Sequence, residues 1–352
     1  MPGIFLPNAY SIISRYKSWK TIGKFLLTIA INLFLLPSLL AMASFAHHSQ
    51  SNLNNPLLTE VVLHNTLLFL PLNSVLRALA TSRDSHSIIV TSPSIRVGDS
   101  LSPDRVRLSR VLRRFERLAH VHVENAQLLV KLEDFRAFAD AIPHVVNLRL
   151  TKLRLNRMTG GPFVDSFKTT FSNLRVLSLH GSMFPTSEVL TNMVSYINGK
   201  TLTSISLAGC RTLADQHVKI LLAKCSLLTR LHLPDCTRLV SPSLIHNLVE
   251  EVNMSQCTSL ESLPNINLPR VQHVSLQWCR KLSSRAVEQV VRSSSSLKFL
   301  NVGACVSVKQ LHLESGRCLE TVQLGMCESI CELRVESCPE LKNLHVGLCA
   351  GA

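Results

Sequence analysis

The sequence lacks the residue patterns of the common catalytic and metal-binding sites. It contains no glycine-rich phosphate loop, no His-Glu-x-x-His helix and no Gly-x-Ser-x-Gly nucleophile turn. Its 11 cysteines include no Cys-x-x-Cys pair, so the usual ligand framework of a structural zinc is missing. We therefore expect a protein that is not an enzyme and that uses no metal and no cofactor.

Acidic residues are absent from residues 1–59. Four basic residues precede a stretch, residues 25–46, that has no Asp, Glu, Lys or Arg. As a helix this stretch would span ~33 Å, enough for the core of a bilayer. Ala41-Met42-Ala43 followed by Ser44 also resembles a signal-peptidase site, so the stretch predicts a signal peptide or a membrane anchor. A start of translation at Met42 and a buried helix remain as alternatives.

The 37 Lys and Arg against 23 Asp and Glu give a net charge of +14. Such a surplus is typical of proteins with acidic partners, and also of an ordinary basic surface. The most basic segment, residues 104–118, carries six arginines and one apolar helical face. It lacks interleaved aromatic residues for base stacking, so it favours a helix that covers the end of a larger domain over a nucleic-acid site.

One phrase, Leu-x-x-Leu-x-Leu-x-x-Cys, recurs every eleven residues between Leu297 and Cys349. Its apolar alternation is that of a half-buried strand. The same frame extends towards the N-terminus, and its coils start at Leu118, Val145, Leu174, Leu202, Leu228, Val249, Val271, Leu297, Leu319 and Leu341. These spacings lie in the leucine-rich-repeat range of ~20–29 residues.

The coil lengths predict the architecture. Most coils before residue 297 have room for a strand and a helix, with helices expected at 132–141, 215–223 and 284–291, capped in the last two by Asp215 and Ser284. Strands stack closer than helices, so these coils should form a right-handed α/β horseshoe. Later coils hold two phrases and should flatten to a β-solenoid. Gly160-Gly161 is expected to lie in a loop. The fold class is thus an α/β leucine-rich-repeat solenoid with a short all-α N-terminal module.

Eight cysteines occupy the last position of the phrase, where the chain turns inward. A thiol there can donate to a buried carbonyl of the turn. We expect a ladder of reduced structural thiols, which is typical of a cytoplasmic or nuclear protein. Its members are Cys210, Cys236, Cys257, Cys279, Cys305, Cys327, Cys338 and Cys349.

Residues 57–83 form two short apolar segments broken at Pro71, with a Leu-x-x-Glu start, a Phe69-Leu70-Pro71 centre and a Ser82-Arg83 end. Followed by cysteine-containing repeats, this segment resembles the F-box of the F-box/leucine-rich-repeat family. The resemblance implies docking on a Skp-type adaptor of a cullin–RING (SCF-type) ubiquitin ligase, through Leu57, Glu60, Val61, Leu67, Leu70, Pro71, Leu72, Val75 and Leu76. An amphipathic cap for the solenoid is the alternative.

These features divide the chain into four parts: an N-terminal basic and hydrophobic segment with its linker (1–53), an F-box-like module (54–95), a basic helix (96–117) and the repeats (118–352). Repeats present extended recognition surfaces. By alternation, the residues expected to bind a protein substrate are His122, Arg149, His180, Arg230, His232, Glu251, Asn253, His273, Gln277, Asn301, Gln323 and His345.

We therefore expect a non-catalytic substrate-recognition subunit of a ubiquitin ligase, located in the cytoplasm or nucleus. The alternative is a membrane-anchored or secreted recognition protein, held at the membrane through residues 25–46.

Overall fold

The computed structural model describes residues 94–97, 105–113, 115, 118–124, 126, 132–155 and 160–349. The chain divides into two compact units, residues 1–102 with 114–118 and residues 103–113 with 119–352. In the first unit the structure describes strand β1 (Ser94–Val97) together with two buried residues, Phe115 and Leu118. The predicted membrane segment and all of the F-box-like module except Ser94 and Ile95 lie outside the described residues.

The second unit repeats a strand followed by a helix or a second strand. Its helices are α1 (Arg105–Leu112), α2 (Leu132–Asp140), α3 (Gly160–Thr169), α4 (Ser187–Tyr196), α5 (Asp215–Lys224) and α6 (Ser284–Arg292). Its strands are β2 (His120–Val123), β3 (Asn147–Leu150), β4 (Val176–Ser178), β5 (Ser204–Ser206), β6 (Arg230–His232), β7 (Leu244–Ile245), β8 (Glu251–Asn253), β9 (Ile266–Asn267), β10 (His273–Ser275), β11 (Phe299–Asn301), β12 (Gln310–Glu314), β13 (Thr321–Gln323), β14 (Glu332–Glu336) and β15 (Asn343–His345).

Ten of these strands form one parallel sheet in the order β2-β3-β4-β5-β6-β8-β10-β11-β13-β15. The middle apolar residue of each phrase stands opposite its counterpart in the next coil, as in Leu148 opposite Leu177 and Leu177 opposite Ile205. These side chains are buried, while their neighbours along each strand face outward. The period-two pattern therefore becomes an apolar row that runs through the unit. The prediction of an α/β solenoid of the leucine-rich-repeat type is confirmed.

The opposite side of the coils changes with coil length. In the last coils β12 pairs with β14 in parallel, so each coil holds two strands, as the two phrases predict. A second such pair, β7 with β9, lies earlier, in the coils that start at Leu228 and Val249. These coils have 21 and 22 residues, too few for both a strand and a full helix. The helix returns as α6 in the following, longer coil.

Phenylalanines fill the core under the first helices. The ring of Phe163 lies 5.1 Å from that of Phe135 and 5.1 Å from that of Phe167, and all three are buried. The expectation of a loop at Gly160-Gly161 is wrong, because both residues belong to α3. A Cβ on Gly160 would lie 2.8 Å from a methyl group of Val189 in α4, so glycine allows the two helices to approach closely.

Two predicted helix caps are also wrong, each by one residue. The α5 cap is Ala214, whose N–H donates to the ring of His217, and Asp215 instead accepts from the N–H groups of Val240 and Ser241 in the next coil. The α6 cap is Ser283 rather than Ser284. Within the described residues, no helix has the length and apolar character to cross a membrane.

From β3 onward, the turn after each strand of the main sheet contains a residue in the left-handed region. Gly209 has φ +69°, and non-glycine residues take the same place in later coils, including Asp235, Gln256 and Trp278 with φ of 57° to 64°. In the cysteine-bearing coils this residue directly precedes the thiol. The turn thus redirects the chain so that the next side chain points inward.

Candidate functional site

The outward-facing residues of the ten-stranded sheet and of the turns that follow its strands form one continuous surface, here called the strand face. All twelve residues predicted to bind a substrate lie on it. His180 and Gln277 follow their strands, and the others lie within strands. Five of the twelve are exposed, namely Arg149, His180, Arg230, His273 and His345, and the other seven are half-buried.

Some of these side chains already have partners within the protein. His232 Nε2 lies 3.0 Å from Glu251 Oε1, without the geometry of a hydrogen bond. Asn253 Oδ1 accepts the N–H of Ser255 at 3.0 Å, and Asn301 Oδ1 accepts that of Gly303 at the same distance. The two asparagines therefore support the turns at the end of their strands.

The strand face has a shallow central region of small residues. Ser178 stands opposite Ser206 on the neighbouring strand, and Ser204 lies two residues before Ser206 on that strand. We call these three residues the serine floor. Arg149 stands opposite Ser178 on one side, and Arg230 stands opposite Ser204 on the other. The three serines are not among the twelve predicted residues, because small polar residues carry no chemical signature in the sequence.

Charges of both signs surround the serine floor. Among the described residues, no hydrogen bond or ion pair engages the side chains of Arg149, Arg230 or the three serines. The outward positions of β3 to β6 include no Asp or Glu, but Asp235 lies in the turn that follows β6 and Glu251 stands opposite Arg230 on β8. Side chains of both charges therefore lie beside the serine hydroxyls.

The predicted thiol ladder has a common geometry. Each of its eight Sγ atoms donates to a main-chain carbonyl in the preceding coil, at distances of 3.1 to 3.7 Å. All eleven cysteines are free. Burial raises the pKa of the Cys210, Cys257 and Cys305 thiols to about 12, partly opposed by main-chain hydrogen bonds. These thiols stay protonated at neutral pH, as donors rather than nucleophiles.

One serine–histidine pair has the distance of a catalytic dyad, with Ser187 Oγ 3.0 Å from Nε2 of the buried His217. However, the Ala214 N–H donates to Nδ1 of the same ring at 2.9 Å. A neutral ring that accepts at Nδ1 carries its proton on Nε2, so it donates towards Ser187 and does not act as its base. The pair instead connects the starts of α4 and α5. Within the described ranges, no group of three or more His, Cys, Asp or Glu has a metal-binding arrangement.

Comparison with known proteins gives little beyond this geometry. No protein-family model and no curated protein matches the chain. Among solved structures, the chain is similar to one in the crystal structure of the Rad7 and Elc1 complex in yeast, with 14% sequence identity over 76% of this chain and 87% of that chain, and a TM-score of 0.43. At this score the similarity supports no functional argument. The strand pairing itself defines the class: an α/β leucine-rich-repeat solenoid with an exposed strand face.

Proposed function

We propose that this protein is a non-catalytic substrate-recognition subunit of a cullin–RING ubiquitin ligase of the SCF type, and that the strand face binds the target protein. The observation that carries the proposal is the strand face itself. It runs across ten strands and presents exposed side chains from many coils to a single partner. Such a surface binds by shape and charge over a large area, which is how repeat proteins recognise other proteins.

The link to ubiquitin transfer rests on the F-box-like segment, residues 54–95. In this proposal its apolar residues, including Leu67 and Leu70, bind the Skp-type adaptor, and the adaptor connects the chain to the cullin. The chain would hold the target near the bound ligase and so raise its effective concentration there.

The free, buried thiols support a location in the cytoplasm or nucleus. Eight thiols, in seven coils, each use a reduced S–H group as a donor to the preceding coil. In an oxidising compartment these groups would be exposed to disulfide formation during folding. A secreted or membrane-anchored recognition protein is the competing function, and residues 25–46 would provide its signal or anchor.

The test is co-purification of the ligase with the full chain expressed in cells. We expect the wild-type protein to bring down the Skp-type adaptor and cullin, and the double variant Leu67→Asp/Leu70→Asp to lose both. The matched control is Leu227→Asp/Ile245→Asp, which places the same charges on exposed apolar residues of the repeats. The control variant should retain the ligase.

Two results would oppose the proposal. Absence of the ligase from the wild-type purification, with the chain recovered in membranes, would favour the anchored recognition protein. Equal retention of the adaptor by both double variants would show that the F-box-like segment is not the docking site.

A further inference from the structure

One edge of the solenoid, where three neighbouring helices end, carries a group of exposed basic residues. Helices α3, α4 and α5 lie in consecutive coils, and each is followed by a short loop (170–175, 197–203 and 225–229) that leads to the next strand. These three loops and the last turns of the three helices are here called the basic edge. Its exposed basic residues are Lys168, Arg175, Lys200 and Lys224.

Carboxylates border the basic edge but do not lie on it. Between residues 166 and 230 the acidic residues are Glu188 and Asp215, which lie in the first turns of α4 and α5 and therefore at the opposite edge. The carboxylates at the border are Asp140, Asp165 and Glu250. Among the described residues, no ion pair joins them to the four basic residues. The three loops themselves carry positive charge only.

Hydrogen bonds between the loops make the basic edge a preformed surface. Asn198 Nδ2 in the second loop donates to Ser172 O in the first at 2.7 Å. Thr229 Oγ1 in the third loop donates to Thr203 O in the second at 3.0 Å. Because the loops are also similar in length, they end at the same level and form a flat edge.

Tyr196, the last residue of α4, stands between lysines from both neighbouring helices. Lys168 Nζ lies 5.4 Å from the centroid of its ring, and Lys224 Nζ donates to the main-chain oxygen of Ser195. Tyr196 is 41% exposed, and Leu227 in the third loop is 43% exposed. Exposed tyrosine and apolar side chains among lysines are typical of the boundary between lipid and water.

Helix stability explains only part of this arrangement. A lysine in the last turn of a helix is stabilised by the negative end of the helix dipole, which accounts for Lys168 and Lys224. Arg175 and Lys200 lie in the loops, outside the helices. The exposure of the Tyr196 ring also gains nothing from the dipole. The positive charge therefore extends beyond what the helices require.

We infer that the basic edge docks on an anionic membrane surface. The cytoplasmic leaflet presents a layer of negative headgroups that attracts clustered Lys and Arg. Three of the four basic residues are lysines, which act as point charges, whereas recognition of a single carboxylate favours the planar fork of arginine. At 8–10 Å between helices the basic edge extends over ~20 Å, and a flat edge of this size matches a flat layer of headgroups.

This inference goes beyond the proposed function, because it requires neither the ligase nor the predicted anchor at residues 25–46. Docking through the basic edge would leave the strand face, on another side of the coils, accessible to a target protein. A target at the membrane surface would then be within reach of the strand face.

The test is sedimentation of the purified full chain with vesicles of phosphatidylcholine, with or without phosphatidylserine. We expect binding to the phosphatidylserine vesicles that high salt reverses, because salt screens exposed charges. The variant Lys168→Gln/Lys200→Gln/Lys224→Gln should weaken this binding on the order of a hundredfold, since each lysine near an anionic surface contributes about fivefold. Tyr196→Ser should also weaken it, without a change in net charge.

The matched control is Arg154→Gln/Arg211→Gln/Arg238→Gln. It removes three exposed charges from the segments that follow β3, β5 and β6, at the opposite edge of the coils, and it should retain most of the binding. Thermal unfolding of all variants identifies any loss of structure. Equal weakening in the two triple variants would overturn the inference, because it would show a general effect of net charge.

Two other results would also overturn it. Binding to phosphatidylcholine alone that persists at high salt and in the lysine variant would assign the membrane contact to the hydrophobic segment, residues 25–46. Stronger binding of a pool of soluble acidic peptides than of the vesicles, lost in the lysine variant, would make the basic edge a protein-docking surface.

Discussion

Replacement of one buried thiol should change the stability of the protein in opposite directions at neutral and at high pH. Cys257 is fully buried and donates to Leu233 O at 3.2 Å. At neutral pH, Cys257→Ala removes a buried atom the size of a methylene, which costs about 1 kcal/mol. It also removes a weak hydrogen bond of about 0.5 to 1 kcal/mol. We expect the free energy of unfolding to fall by about 1.5 to 2 kcal/mol.

The effect reverses because burial raises the pKa of this thiol from 9.0 to about 12. Above pH 9 the unfolded chain releases the proton while the folded protein keeps it. The wild-type protein therefore loses about 1.4 kcal/mol of stability per pH unit from this group as the pH rises from the unfolded to the folded pKa. Alanine does not titrate. The deficit of the variant should almost vanish at about pH 10, and above that the variant should be the more stable protein.

The measurement is urea unfolding of both full-length proteins under reducing conditions, at about pH 7 and about pH 10. The control variant is Cys318→Ala, which removes an exposed thiol and should change the free energy of unfolding at neutral pH by less than about 0.5 kcal/mol. An identical deficit for Cys257→Ala at both pH values would refute the reasoning, since it would mean that Cys257 is not held as a buried neutral thiol.

Two further substitutions test the packing of the repeats. Ser182 is buried where later coils carry the thiol, and its hydroxyl has no partner among the described residues. Ser182→Ala should therefore leave the melting temperature unchanged or raise it, with a gain of up to about 1 kcal/mol in the free energy of unfolding. The comparison variant is Ser166→Ala, which removes a hydroxyl that donates to a main-chain carbonyl. This variant should lower the melting temperature. Phe163→Ala should lower the free energy of unfolding by about 3 to 5 kcal/mol, measured by thermal unfolding, because it leaves a cavity in the phenylalanine core. Phe299 is half-buried and serves as the comparison. A cost for Phe163→Ala no larger than that for Phe299→Ala would contradict this packing.

The main sheet could be predicted from the sequence because each strand carries its own signal. Every coil repeats two apolar residues at period two, followed by an inward-facing thiol or its substitute. Where one coil departs from this pattern, the pattern in the neighbouring coils still locates its strand. The opposite side of the coils has no such repetition. Helix α3 begins with Gly160-Gly161, which reads as a loop until the close approach of Val189 is known. Strands β7 and β9 have two residues each, too few to show a period.

The candidate site was predictable in position but not in detail. Alternation along the strands places Arg149, Arg230 and the serines on one face. Whether a guanidinium is free or paired depends on neighbours that are 20 to 30 residues away in sequence and one coil away in space. Only the structure brings Glu251 to His232 and leaves Arg230, on the same strand as that histidine, without an ion pair. The sequence therefore indicated which surface to consider, and the structure shows which of its side chains have partners within the protein.

The exchange of a helix for a two-residue strand on the far side of a coil has a consequence for how binding could be tuned. Neighbouring strands are ~4.8 Å apart and packed helices 8–10 Å apart, so the choice of far-side element sets the angle between successive coils. The register of β6, β8 and β10 is unbroken across the coils that make this exchange. Insertions or deletions behind the sheet can therefore reorient whole groups of contact residues without altering any of them. The specificity of the strand face would then depend on the lengths of far-side segments that contact no ligand.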